Sequence, residues 1–132
     1  MSGNVKVTEV FFTQNLAGAG PDDTLKIGDL YWVAVEISIG AMARTFISGD
    51  RTTVTVHNLS TGNLVRTETV TRTLTPALTP LKDRVNVPFP ALPGPADVND
   101  GDILVARCSY SAQVGFYRPS DSEESDTAVA VA

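Results

Sequence analysis

Asp97-Val98-Asn99-Asp100-Gly101-Asp102 is the densest run of hard oxygen ligands in the chain. Carboxylate and amide oxygens at alternate positions, with a glycine to bend the backbone, are what Ca²⁺ asks of a loop. If the loop before residue 25 lies at the same end of the fold, Asp22 and Asp23 join Asp97, Asp100 and Asp102 in a carboxylate cage. No Glu stands at the twelfth position, as an EF-hand requires. The same Asn-Asp-Gly-Asp run also serves as a turn, because these residues tolerate turn dihedrals.

The other chemistry-bearing residues are fewer. Ser120 to Asp126, SDSEESD, carries four carboxylates in seven residues, suited to Ca²⁺, to a basic partner, or to a solvated loop. Trp32 falls on the side of its strand opposite Tyr31 and Val33, where a ring can stack on a sugar or anchor a protein. Phe46 and the group Phe116, Tyr117 and Arg118 sit in loop sequence. Loop-borne aromatics beside an arginine make the best binding-surface candidate.

No catalytic constellation emerges. His57 is the only histidine, and no Gly-x-Ser-x-Gly elbow accompanies it. One His and one Cys all but exclude a zinc site of tetrahedral N/S ligands within a single chain, so no resident cofactor is expected beyond the Ca²⁺ option. Gly18-Ala19-Gly20 lacks the Lys and Ser/Thr of a phosphate loop. Asn58-Leu59-Ser60 fits a glycosylation sequon, and Cys108, mid-strand on an apolar side, reads as a small buried hydrophobe. The expectation is a protein that is not an enzyme.

The 132 residues suit one domain, 1–132, able to bury roughly two-thirds of its unfolded surface. A net charge of −5, with ten Lys and Arg scattered, argues against a nucleic-acid partner. No apolar run could span a bilayer. Met1 to Lys6 lacks a signal-peptide pattern, leaving a cytoplasmic, virion-associated or leader-removed extracellular location open.

The elements that must hold these residues are strands. Leu25 to Ile39 alternates with Tyr31, Val33, Val35, Ile37 and Ile39 on one face, at the period of two of a half-buried strand. Ile103 to Ala112 places Leu104, Ala106, Cys108 and Tyr110 together. Val5–Phe12, Arg51–Asn58, Leu64–Leu74 and Leu81–Phe89 complete the longer runs, with Thr and Val favouring sheet over helix. GAMARTFISGD reads as a loop, TPALTP as a crossover, and TAVAVA as a short last strand.

Seven strands, Leu25-Lys26-Ile27-Gly28-Asp29 opening the second and Asp100-Gly101-Asp102 the sixth, and Asp121 to Asp126 before a Val/Ala-rich end resemble bacterial immunoglobulin-like modules. The nearest look is to the cell-adhesion-related CARDB type. The resemblance implies an all-β, seven-stranded immunoglobulin-like Greek-key β-sandwich serving binding, spacing or assembly. The expected partner is a protein or a second copy, joined through an edge strand at Thr127–Ala132. A glycan or Ca²⁺ ligand is the alternative.

Overall fold

The computed structural model describes residues 5–16 and 20–132; Ala17 to Ala19, and with them most of the Gly18-Ala19-Gly20 run, lie outside. The described chain forms β1 (Val5–Thr13), β2 (Thr24–Lys26), β3 (Tyr31–Ile39), α1 (Ala41–Phe46), β4 (Ile47–Asn58), β5 (Asn63–Thr73), β6 (Leu81–Phe89), β7 (Ile103–Val114), β8 (Ser120–Glu124) and β9 (Ala128–Val131). One sheet has the order β1-β3-β6, the other β2-β9-β7-β4-β5 with β8 also on β7. The two pack as a β-sandwich, as expected, but with nine strands and a helical turn where seven strands were read.

The alternation in the sequence fills the core. Tyr31, Val33, Val35, Ile37 and Ile39 are all buried, facing Leu104, Ala106, Cys108 and Tyr110 of the other sheet within one apolar cluster. Val85, Val87 and Phe89 join them, and the Tyr31 and Phe89 rings stack at 4.9 Å. Burial pushes the Cys108 thiol up to about 12, with the Asp121 charge adding to it, so this lone cysteine is inert packing.

Four readings are corrected. Leu25–Ile39 is two strands, because Gly28 takes φ +94° and turns the chain between sheets. Leu25 is buried beside β9, and Tyr31 begins β3. The stretch Ala41–Phe46 is helical rather than loop: Ala, Met and Arg are helix formers, and buried Ala43 anchors the turn. SDSEESD is largely strand β8, paired along β7, with two of its four carboxylates held by partners on other strands. Asp121 accepts the Val7 N–H at 2.8 Å, and Glu124 pairs with Arg107 at 2.6 Å. Finally, the terminal strand offers no open edge. β9 lies between β2 and β7 and is hydrogen-bonded on both sides, so the anticipated pairing through Thr127–Ala132 has no free ladder.

A charged network ties the two sheets together. The fully buried carboxylate of Asp50 on β4 accepts from Arg72 Nε at 3.0 Å, Arg72 Nη2 at 2.6 Å and Tyr110 Oη at 2.7 Å. The remaining Arg72 nitrogen, Nη1, donates to Asp83 of β6 at 2.8 Å. Gly49 permits this approach: a Cβ there would stand 2.7 Å from the Arg72 carbonyl oxygen. Burial, then the Asp50 hydrogen bond, raises the Tyr110 hydroxyl well above its ordinary value, keeping it a donor. Burial alone would raise the Asp83 carboxyl, but Arg72 and the Arg84 N–H outweigh it and hold it low.

Removing one member of such a buried pair strands the other charge. Asp50→Ala is expected to cost about 3–5 kcal/mol in urea denaturation, and Tyr110→Phe about 1.5–3 kcal/mol. A loss under about 1 kcal/mol for Asp50→Ala would show the network to be ornamental.

Candidate docking surface

Three connections meet at one end of the sandwich, here called the tip. Ile39 ends β3 opposite Leu81, which starts β6, and Val5, which starts β1. Ile47, at the start of β4, lies opposite Val114 at the end of β7, while Gly49 faces Thr73 at the end of β5. The tip therefore carries α1, the β5–β6 connection and the β7–β8 turn.

Backbone hydrogen bonds lock the three together. Ala77 N donates to Arg44 O at 3.1 Å, and Gly115 N to Phe46 O at 3.2 Å. Val114 and Tyr117 exchange N–H···O bonds of 2.9 Å, closing a turn that Gly115 enters with φ +60°. Gln113 Nε2 staples it by donating to the Gly115 carbonyl at 2.7 Å, and Arg118 reaches Ser111 Oγ at 3.3 Å.

On this frame stand Met42, Phe46, Leu78, Phe116 and Tyr117, all large and exposed, with the Phe116 ring wholly in solvent. Met42 and Phe46 share one helix face at i, i+4. Clustered exposed apolar side chains mark an interaction surface more often than scattered ones do. Phe46, Phe116, Tyr117 and Arg118 are thus brought together; Met42 and Leu78 join them without having been singled out.

Trp32 is elsewhere. It is half-buried on the outer side of β3, between Thr13 and Pro88 on the flanking strands, seven residues and roughly 23 Å from the tip end of β3. On the same outer side, but further toward the middle, Arg84 lies 5.0 Å over the Phe11 ring, which it helps to cover.

The five aspartates offered as metal ligands lie at the opposite end, each engaged locally where its hydrogen bonds are defined. Asp102 Oδ2 accepts from Asn58 Nδ2 and from the Asn99 N–H, both at 2.8 Å. Asp100 Oδ1 accepts the Ala132 N–H, and Asp22 Oδ2 the Gln14 N–H. Asp23 and Asp97 contribute main-chain oxygens, to Val129 N and to Asn58 Nδ2. No group of three or more metal-binding side chains forms among the described residues. The anticipated cage is not assembled among the described residues: the Asp22, Asp100 and Asp102 carboxylates accept protein hydrogen bonds, and the five side chains do not converge.

Asn58 is the residue that sequence reading undervalued. Read as a sequon, it is fully buried, bridging Asp97 and Asp102 while its own Oδ1 receives the Ser60 N–H. A buried side-chain amide cannot be glycosylated without unfolding the turn. His57 next to it is half-buried on the outer side of β4, between Leu64 and Val105.

No protein-family model matches the chain, and no curated protein matches it. Among solved structures, the C-terminal domain of Wzt aligns with TM-score 0.57 at 8% identity, over 97% of this chain and 72% of that one. Alkylpurine DNA glycosylase AlkC of Pseudomonas fluorescens, bound to abasic-site DNA, aligns at 0.45 with 13% identity, over 98% of this chain and 31% of that one. The sporulation control protein Spo0M of Bacillus subtilis aligns at 0.42 with 17% identity, over 98% of this chain and 50% of that one. The chain thus spans about a third of the glycosylase and half of Spo0M. What the Wzt likeness shows is the β-sandwich fold.

The Asn99 N–H and the Asn58 amide hold the Asp102 carboxyl below its usual range. A depressed carboxyl contributes stability above its unfolded pKa of about 3.9 and loses it as pH falls through the folded value. Asn58→Ala is expected to destabilise the fold by about 1–3 kcal/mol at neutral pH. It should also flatten the decline in melting temperature below about pH 4. An unchanged acid limb would show that Asp102 does not depend on Asn58.

Proposed function

We infer that the chain is a non-catalytic interaction module that docks through its tip, as one part of a larger assembly. The observation that carries this reading is the gathering of Met42, Phe46, Leu78, Phe116 and Tyr117 on one end of a stiff sandwich. Exposed side chains of this size raise no stability by themselves, and a buried contact is what they can gain. Hydrogen-bonded loops reduce the ordering cost of such a contact, since little remains to be immobilised. The sequence's resemblance to CARDB-type immunoglobulin-like modules supports the same reading.

A photo-cross-linking amino acid placed at position 116, in the protein's native host, tests it without presupposing the partner. Adducts from position 116 should far exceed those from position 64. Leu64 is a suitable control because it is exposed and apolar but sits at the other end of the sandwich. Equal labelling at both positions would end the tip reading.

A further inference from the structure

We propose that the tip seats on an anionic lipid bilayer, with Phe116 and its neighbours entering the headgroup region and Arg44 and Arg118 facing the lipid phosphates. The inference deepens the tip reading and rests on it.

Charge supplies the first argument. Residues 40–46, 74–80 and 115–119 contain two arginines and no carboxylate, in a molecule of net charge −5. Lys6 and Lys82 flank Ser38 at the same end of the neighbouring sheet. The carboxylates nearest the tip are Asp50 and Asp83, which share Arg72, and Asp121, which accepts the neutral Val7 N–H. Set against Arg44, Arg118, Lys6, Lys82 and Arg72, they leave this end with an excess of positive charge. Asp22, Asp23, Asp29, Asp97, Asp100 and Asp102 cluster instead around the opposite end. A molecule polarised in this way turns its tip toward a negative surface. The acidic end then stands further off than the roughly 10 Å over which charge is felt at ordinary salt.

Shape supplies the second. Phe116 projects wholly into solvent from a closed turn that also carries Tyr117, while Met42 and Phe46 come from α1 and Leu78 from the β5–β6 connection, so the five groups rise from three separate segments. A protein partner must offer a preformed pocket for each such projection, whereas a bilayer admits rings and aliphatic chains wherever they fall. Aromatic and aliphatic groups beside arginine are the composition that interfacial binding rewards, through apolar burial added to attraction for anionic lipid. A second copy meeting tip to tip is disfavoured, because Arg44 and Arg118 would meet their own kind.

Co-sedimentation of the full chain with phosphatidylcholine vesicles, and with vesicles containing phosphatidylglycerol, is the test. The anionic vesicles should retain the protein and the neutral ones far less. Phe116→Ser should lower partitioning roughly tenfold or more. Arg44→Gln with Arg118→Gln should lower it by a similar factor at low salt, with little further effect once salt is raised. Phe116 and Arg118 are exposed and Arg44 is half-buried; unchanged melting temperatures will show that the variants are folded. A Phe116→Trp variant should give blue-shifted emission on anionic vesicles, while wild type, whose Trp32 lies at the far end, should not. Failure of the wild type to bind anionic vesicles, or binding indifferent to these substitutions, overturns the proposal. Protein adducts from position 116 without vesicle binding overturn the lipid partner and leave the tip reading standing; absence of enriched adducts and of vesicle binding overturns both.

Discussion

The carboxylate of Asp50 is the constraint on which the tip depends. A charge taken fully out of water must be paired and hydrogen-bonded, or the fold cannot tolerate it. Here its oxygens accept three hydrogen bonds, two from Arg72 and one from Tyr110. Because Arg72 also reaches Asp83, strands β4, β5, β6 and β7 are held at one level where they approach the tip. The bidentate guanidinium fixes β5 against β4 within one sheet, and its third nitrogen ties that pair across to β6 of the other. The helical turn and both other connections of the tip spring from strands fixed in this way. Gly49 is the enabling residue, since a side chain there would push β5 from β4 where the pair forms.

Much of the sandwich was legible because alternation is a direct image of burial. Tyr31 to Ile39 and Leu104 to Tyr110 could be assigned to the core from periodicity alone, and they lie there. The misreadings share one cause: local signals were weighed without their tertiary partners. Val5 and Val7 face the core, but so do Val10 and Phe12, an odd step later. That change of phase needs the bulge between Val7 and Glu9, which no pattern announces. The acidic run 120–126 looked self-repelling until Arg107 and the Val7 N–H were found beside it. In the same way, TAVAVA looked like an exposed edge because nothing in its own residues says that β2 will return to cover it.

The candidate surface was half legible. Phe46, Phe116, Tyr117 and Arg118 stood out as apolar or cationic groups in loop sequence, and their neighbourhood follows from strand order. Met42 was lost because Ala41–Phe46 was read as irregular, hiding the i, i+4 relation that sets it beside Phe46. Leu78 was lost in a segment noticed only for its prolines. Trp32, a large ring on the outer side of a strand, is conspicuous in sequence; it is half-buried and stands away from the aromatics of the tip. The Asp-rich loop carries two readings at once. Ca²⁺ ligands and turn formers are the same residue types, and only the hydrogen-bond partners distinguish them.

That ambiguity also accounts for the polarity of the molecule. At the acidic end the chain makes its turns with side chains: Asp102 caps Asn99, Asn58 closes on Ser60, Asp22 receives Gln14, and Thr61 receives Asn63. Turns built with aspartate accumulate negative charge whether or not anything binds there. At the tip the turns are built otherwise, from a helical turn, from Pro76, Pro80 and Pro119, and from Gly115 with reciprocal main-chain bonds. These devices carry no charge, so they leave the surface to whatever side chains occupy it. The Met, Phe, Leu and Tyr found there are therefore not required by the turns that display them. Their presence calls for an explanation outside the folding of this chain, and a surface that covers them supplies it.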